Sequence, residues 1–387
     1  LRLQHDSLSP PTGYLDWQCI GDRAAVPHRT VIGPDPSSLN LPFSPVRHNA
    51  NRAAESQLHT GMPLLLSARA PVRVDLGGGW TDVPPYCEEK GGYVCNIAVA
   101  RYATATLHAS GGRVDSSADA PESAIAVAAM RRSVGASCDL RLHMTSDYPI
   151  GAGLGGSSAA GVAALAALAA HERRQVLPEQ LAEESRAIEV EDLGVAGGRQ
   201  DHYAAAFGGA LGLEFGGGVS VKRIPLEETV ATRLESRMLI LYPGRARVSG
   251  ATIQAVMDAY REGNERVTAA LQRMKELARQ MVTALQEGSI AELGALVGEQ
   301  WIHQRSLHAS ISTPEIEQVM SIAAREGAWG AKALGASGGG CVLVLGEPET
   351  LDSVEHACKP IATALPFGFD HRGVQVTIGG VPGDTVA

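Results

Sequence analysis

Gly151, Gly153, Gly155 and Gly156 lie just ahead of Ser157 and Ser158. Residues of these types in this order can hold phosphate. Glycines let a backbone turn sharply and approach a ligand, and a helix that starts there presents unpaired N–H groups and the positive end of its dipole. The two serines can cap that helix, and either can ligate a magnesium ion bridging phosphates. An ordinary glycine-rich turn with a serine N-cap is the simplest alternative. A dinucleotide-binding fingerprint would need an acidic residue about twenty positions on, after a second strand. Here Glu172 falls at a helix end with no such strand before it. A Walker loop would need Gly-Lys-Ser/Thr, which does not follow.

The flanking patterns supply the elements that position this loop. Leu140, Leu142 and Met144 alternate with Asp139, Arg141 and His143, which predicts a strand running into it. The alanine-rich stretch 159–170 predicts the helix leading out. Val72, Val74 and Leu76 alternate with Arg73 and Asp75, so a strand puts both charges on one face, where they can simply pair on a wet sheet surface. Further strands are predicted over 91–100 and 102–107, and a short helix over 123–132 after a loop at 109–122. Pro178 and the glutamates behind it open a helix that reaches Glu189. Glu191 and Asp192 read as helix-end solvation, whereas Asp201 follows a Gly197-Gly198 turn and precedes a small-residue run. Two or three strands are expected in 211–250, including Met238–Tyr242, and the turn after that strand brings Arg245 or Arg247 towards a substrate or leaves them solvated. The spacing of Val267, Leu271, Met274, Met281 and Leu285 predicts helix, with Gly288 ending it before another at 291–307. Thr313 and Pro314 open a further helix that Gly327 stops.

Three segments together resemble one family. Pro149-x-Gly151-x-Gly153-Leu154-Gly155-x-Ser157-Ser158-Ala159 is similar to the phosphate loop of the GHMP superfamily of galactokinase, homoserine, mevalonate and phosphomevalonate kinases. Ala70-Pro71-x-Arg73 followed by Gly78-x-x-Thr81-Asp82 resembles the first motif of its sugar kinases, and Lys332–Leu345 resembles its glycine-rich third motif. The resemblance implies an α+β, two-lobed fold with a ribosomal-protein-S5-like N-terminal lobe over 63–230 and a ferredoxin-like C-terminal lobe over 231–387. Residues 1–62, proline-rich and without period, are expected to be an irregular or disordered extension.

By the same resemblance, Pro149, Gly151, Gly153, Leu154, Gly155, Gly156, Ser157 and Ser158 hold ATP, and Ser157 or Ser158 holds Mg²⁺ with Glu189. Arg73 and Asp201 would be catalytic, the aspartate taking a proton from the attacking hydroxyl and the arginine stabilising charge on the phosphoryl group. Thr81, Asp82, Arg199, Gly338 and Gly339 would meet the substrate, although a structural ion pair is an equal reading for Arg199. Galactokinase has Gly-Glu-His-Thr-Asp where this chain has Gly78-Gly79-Trp80-Thr81-Asp82, which disfavours galactose. The Gly-Gly-Trp-Thr-Asp tract resembles L-fucose kinases, and Gly197-Gly198-Arg199-Gln200-Asp201 resembles heptose 7-phosphate kinases. The implied acceptor is the anomeric hydroxyl of one of these sugars, giving a sugar 1-phosphate for nucleotide-sugar synthesis. A non-catalytic sugar or nucleotide sensor and a mevalonate-type kinase are the alternatives.

Composition sets the outer limits. At 387 residues the chain can form two lobes with proper cores, and a net charge of -9 argues against general nucleic-acid binding. Six scattered cysteines lack metal-ligand spacing and read as thiols of a reducing compartment. No signal-peptide pattern and no membrane-length apolar run stand in the sequence, so a cytoplasmic protein without membrane or nucleic-acid partners is expected. A homodimer is left open.

Overall fold

The computed structural model describes residues 65–109, 121–133, 140–244 and 250–379. Two antiparallel sheets organise them. The first has the order β10-β1-β2-β4-β5, with β3 also paired to β2; the second has the order β7-β8-β6-β9. The long strands β1 (Leu65–Gly77) and β2 (Gly92–Ala109) form the spine, and β3 (Leu140–Ser146), β4 (Ala210–Phe215) and β5 (Val219–Ile224) build outward from β2. The two sequence segments at 91–100 and 102–107 are thus one continuous strand. The second sheet combines β6 (Met238–Tyr242), β7 (Gly330–Ala333), β8 (Val342–Leu345) and β9 (Thr363–Ala364). β10 (Gln375–Ile378), the last strand described, returns to the first sheet beside β1.

Eleven helices are described, and those in the first half of the chain are α1 (Tyr86–Lys90), α2 (Pro121–Ser133), α3 (Gly156–His171), α4 (Pro178–Ala187), α5 (Gln200–Phe207) and α6 (Glu228–Glu235). The second half adds α7 (Gly250–Arg261), α8 (Glu265–Glu287), α9 (Ile290–Ser306), α10 (Pro314–Arg325) and α11 (Pro348–Cys358). Local chemistry sets several boundaries. Asn264 caps α8 by accepting from the Val267 N–H, and Gly288 closes it in the left-handed region at φ 68°. Thr313 caps α10, and Pro314 occupies its first turn.

α3 is buried at every position from Ser158 to Ala169, as an apolar helix without a polar face must be. It packs against β1 and β2, as does α8. Residues of both parities along β1 are therefore buried, including Arg73 and Asp75, each about 1% exposed. β1 therefore offers no wet face on which these two charges could simply pair. One apolar core runs from Leu66 and Val74 through Leu165, Leu277 and Met281 to Leu343 and Leu345 of the second sheet. Among the described residues, no helix is long and apolar enough to cross a membrane.

Candidate active site

The glycine-rich loop joins β3 to α3. Its helix begins at Gly156, and the capping position is Gly155, in the left-handed region at φ 78° with no side-chain cap. The two serines therefore lie inside the first turn and do not cap it. Main-chain bonds fix the loop from beneath: Arg73 N–H donates to the Leu154 carbonyl at 3.0 Å, and Cys341 N–H to that of Ala152 at 2.7 Å. Close approach excludes side chains at two places. A Cβ on Gly153 would stand 2.7 Å from the Leu334 carbonyl, and one on Gly155 would stand 3.1 Å from Asp201.

Asp201 sits in the first turn of α5. Arg73 Nε and Nη2 both bond its Oδ1, at 2.7 and 2.6 Å, and Nη1 donates to the Gly153 carbonyl at 2.7 Å. One buried guanidinium thus ties the carboxylate to the loop, while Oδ2 lies on the Gly155 side. Glu189 comes from a single wide π-turn, Ile188–Asp192, a distortion often found at functional sites. Its Oε2 lies 2.9 Å from His202 Nε2 and accepts from Ser158 Oγ at 3.3 Å. Burial pushes the Glu189 pKa up, but hydrogen bonds from His202, Ser157 and Ser158 bring it below the usual carboxylate value. Glu191 and Asp192 face outward onto Arg132, consistent with surface pairing.

Two cavities meet here. The larger, about 880 Å³, is walled by Tyr148–Ser157 together with apolar Ile125, Leu193 and Val195. The smaller, about 120 Å³, is lined by Arg73, Asp75, Trp80, Asp82, Gln200 and His202, among others. Ser157, Glu189 and Asp201 line both, and so mark the boundary.

Several expected site residues do other work. Thr81 is fully buried; its hydroxyl donates to the Gly78 and Tyr93 carbonyls and accepts from Tyr93 N–H, so it braces a turn and does not face the cavity. Asp82 lines the smaller cavity, but its Oδ2 is held by the Arg199 and Gln200 N–H groups at 2.8 and 3.0 Å. It anchors the start of α5, and with it Asp201. The Arg199 side chain points to Glu183 at 3.4 Å and lines a separate pocket with Cys87 and Phe215. That is the ion-pair alternative, not a contact with the site. In the third motif, Gly335 and Ala336 line the smaller cavity, whereas Gly338 donates its N–H to the Ile311 carbonyl and packs beside Ser310. Gly339 is absent from the linings of both cavities as well. Arg245 and Arg247 lie outside the described residues.

His202 is the functional candidate that sequence reasoning missed. It is buried, with Nδ1 2.9 Å from Ser185 Oγ, and so bridges α4 to the Glu189 carboxylate. A histidine next to Asp201 in a short helix carries no pattern of its own. For Mg²⁺, hard oxygen donors beside phosphate are required, and Glu189 with Ser157 fit that demand. Ser157 is exposed at the cavity boundary, while the Ser158 hydroxyl is buried between Glu189 and His202.

Two family patterns match the chain. The pattern of the GHMP kinases N terminal domain matches residues 122–209, spanning the loop, Glu189 and Asp201, and that of the GHMP kinases C terminal matches residues 281–360. The chain carries both GHMP kinase domains. A D-glycero-alpha-D-manno-heptose 7-phosphate kinase of Campylobacter jejuni is 27% identical over 336 residues, which cover 80% of this chain and 98% of that protein. The L-fucokinase/L-fucose-1-P guanylyltransferase of Bacteroides fragilis is 23% identical over 386 residues, 85% of this chain but only 40% of the longer relative. The crystal structure of a D-glycero-D-manno-heptose 1-phosphate kinase from Bacteroides thetaiotaomicron matches with a TM-score of 0.63 at 23% identity, over 81% of this chain and 98% of that one. The shared fold is the GHMP kinase fold.

Proposed function

We propose that this chain is an ATP-dependent sugar kinase that phosphorylates the anomeric hydroxyl of a heptose 7-phosphate or of L-fucose. The observation that carries the reading is the meeting of two cavities at Asp201, with Arg73 tying that carboxylate to the glycine loop. The larger cavity suits a nucleotide, its phosphates against the loop amides and the first turn of α3, its base against Ile125, Leu193 and Val195. The smaller cavity suits the acceptor. Its attacking hydroxyl gives its proton to Asp201 Oδ2 as the new O–P bond forms, and the bond from the γ-phosphorus to the bridging oxygen breaks to release ADP. The Arg73 guanidinium meets the charge that develops on the moving phosphoryl group, in a buried setting where such contacts act strongly. Glu189 and Ser157 would hold Mg²⁺, which would supply neutralising charge for the phosphates.

The likeness to the heptose-phosphate kinase and fucokinase supports a sugar acceptor, as does the Gly78-Gly79-Trp80-Thr81-Asp82 turn. An ADP-release screen over L-fucose, D-glycero-D-manno-heptose 7-phosphate, galactose and mevalonate tests it. Release stimulated by one of the first two is expected. Stimulation by mevalonate alone, or nucleotide binding without turnover on any sugar, would overturn the reading.

A further inference from the structure

His202 closes a hydrogen-bonded ring around one carboxylate, that of Glu189. The ring takes one residue from each of α3, α4 and α5 and one from the π-turn Ile188–Asp192. His202 of α5 places Nε2 2.9 Å from Glu189 Oε2 and Nδ1 2.9 Å from Ser185 Oγ of α4. Ser185 Oγ in turn donates to the Ser158 carbonyl of α3 at 3.3 Å, and the Ser158 hydroxyl donates to the same Glu189 oxygen at 3.3 Å. We propose that His202 is a positioning residue, which holds the Glu189 carboxylate turned towards Ser157 so that the two together take a divalent cation. This rests on Glu189 and Ser157 being the cation ligands of the kinase reading.

Each link of the ring removes freedom from the next. An imidazole nitrogen 2.9 Å from a carboxylate oxygen carries the proton between them, so Nε2 donates and Glu189 Oε2 accepts. Ser185 engages the other side of the imidazole, which therefore cannot turn away. His202 is buried, so water does not compete for either nitrogen. Ser185 is itself set by close packing of α3 on α4: a Cβ on Gly161 would stand 2.3 Å from its Oγ. Glu189 needs the brace. Its carbonyl accepts from the Val195 N–H at 2.9 Å, but a main-chain bond does not orient a side chain.

Cation chemistry gives the brace its purpose. Mg²⁺ demands near-ideal octahedral geometry, and a glutamate free to change rotamer meets that demand only part of the time. Partners that orient a ligating side chain are worth about 10–100-fold in metal affinity. Ser157 also bonds the Glu189 carboxylate, so the two oxygen donors already lie side by side. His202 directly follows Asp201 in the first turn of α5. One short helix thus carries both the proton acceptor and the brace of the cation ligand, which sets the spacing between them.

The test compares wild type with His202→Gln, whose amide N–H can still donate, His202→Leu, which has no donor, and Ser185→Ala, which frees the imidazole. Mn²⁺, which takes the same oxygen donors as Mg²⁺ and is seen by EPR, is titrated into each protein saturated with ADP. Calorimetric Kd for ADP in EDTA reports the nucleotide pocket without a cation. His202→Leu should weaken Mn²⁺ binding about tenfold or more and Ser185→Ala more than about threefold, while His202→Gln stays within about threefold of wild type. ADP affinity in EDTA should stay within about twofold throughout, because the brace acts on the cation ligand and not on the loop. Wild-type Mn²⁺ affinity in His202→Leu, a Gln variant as weak as the Leu variant, or an equal loss of ADP affinity in EDTA would overturn the proposal. Should His202→Leu fail to fold, Ser185→Ala decides, and wild-type Mn²⁺ affinity there would overturn it. Failure of the underlying reading is seen separately: Glu189→Gln binding Mn²⁺ as wild type does would remove the cation site itself, whereas loss in Glu189→Gln with none in His202→Leu would remove His202 alone.

Discussion

Asp201 is held by two neighbours that differ in kind, and each answers differently to substitution. Arg73 bonds it directly and also bonds the loop carbonyl of Gly153, which a single ammonium cannot do in the same geometry. Arg73→Lys and Asp201→Asn are each expected to lower kcat on the order of 10²-fold while leaving sugar KM within a few-fold, measured by coupled ADP release. Normal turnover by Asp201→Asn would remove it from the chemistry. Asp82 acts through the backbone, anchoring the first N–H groups of α5. Burial raises its pKa, the backbone bonds from Gln200 and Arg199 oppose that, and the Asp201 charge raises it further. A folded value above the unfolded one means that its stabilisation is complete at low pH and lost as pH rises through the folded value. Asp82→Asn keeps an acceptor and abolishes this titration, so its Tm relative to wild type should improve between about pH 4 and about pH 7. Asp82→Ala keeps no acceptor and should cost about 1–3 kcal/mol at neutral pH. A difference between Asn variant and wild type that is flat across that range would count against the assignment.

At the level of elements, the loop and α3 depend on a cap that only glycine makes easily. Gly155→Ala places a methyl group 3.1 Å from Asp201 and forces an L residue to φ 78°. The backbone term alone is about 1–2 kcal/mol, visible in Tm, and a displaced Asp201 should lower kcat more than it raises ATP KM. An ATP KM effect without loss of kcat would mean that the loop moves and the carboxylate does not. This loop and its helix were readable from sequence because glycine spacing and an alanine run have local causes. So were the strand alternation at Leu140–Met144 and the cap at Thr313. What escaped has non-local causes. No pattern around Thr81 or Asp82 tells that their oxygens are taken up by main-chain groups, because Tyr93 and Gln200 are brought there by the sheet and by α5. β1 reads as half wet until α3 and α8 are both known to cover it. Helix α6 escaped because it is short and buries only Ala231 and Leu234.

Across the whole molecule, one ion pair joins the two sheets behind the site. Lys332 on β7 reaches Asp75 on β1, both essentially without solvent exposure. Burial lowers the Lys332 pKa, and the Asp75 carboxylate works against that. Both side chains are fully buried, so either charge left alone would be stranded without a compensating partner. Lys332→Met should therefore destabilise the protein by about 3–5 kcal/mol in urea unfolding, the penalty for an uncompensated buried charge. Adding Asp75→Leu to Lys332→Met removes the stranded carboxylate, and a well-packed apolar pair is often as stable as the ion pair it replaces. The double variant should recover most of the lost stability, and it should still bind ATP, because the loop, Ser157 and Arg73 are untouched. A double variant as unstable as Lys332→Met alone would show that the charges themselves, and not the stranding of one of them, hold the two sheets together.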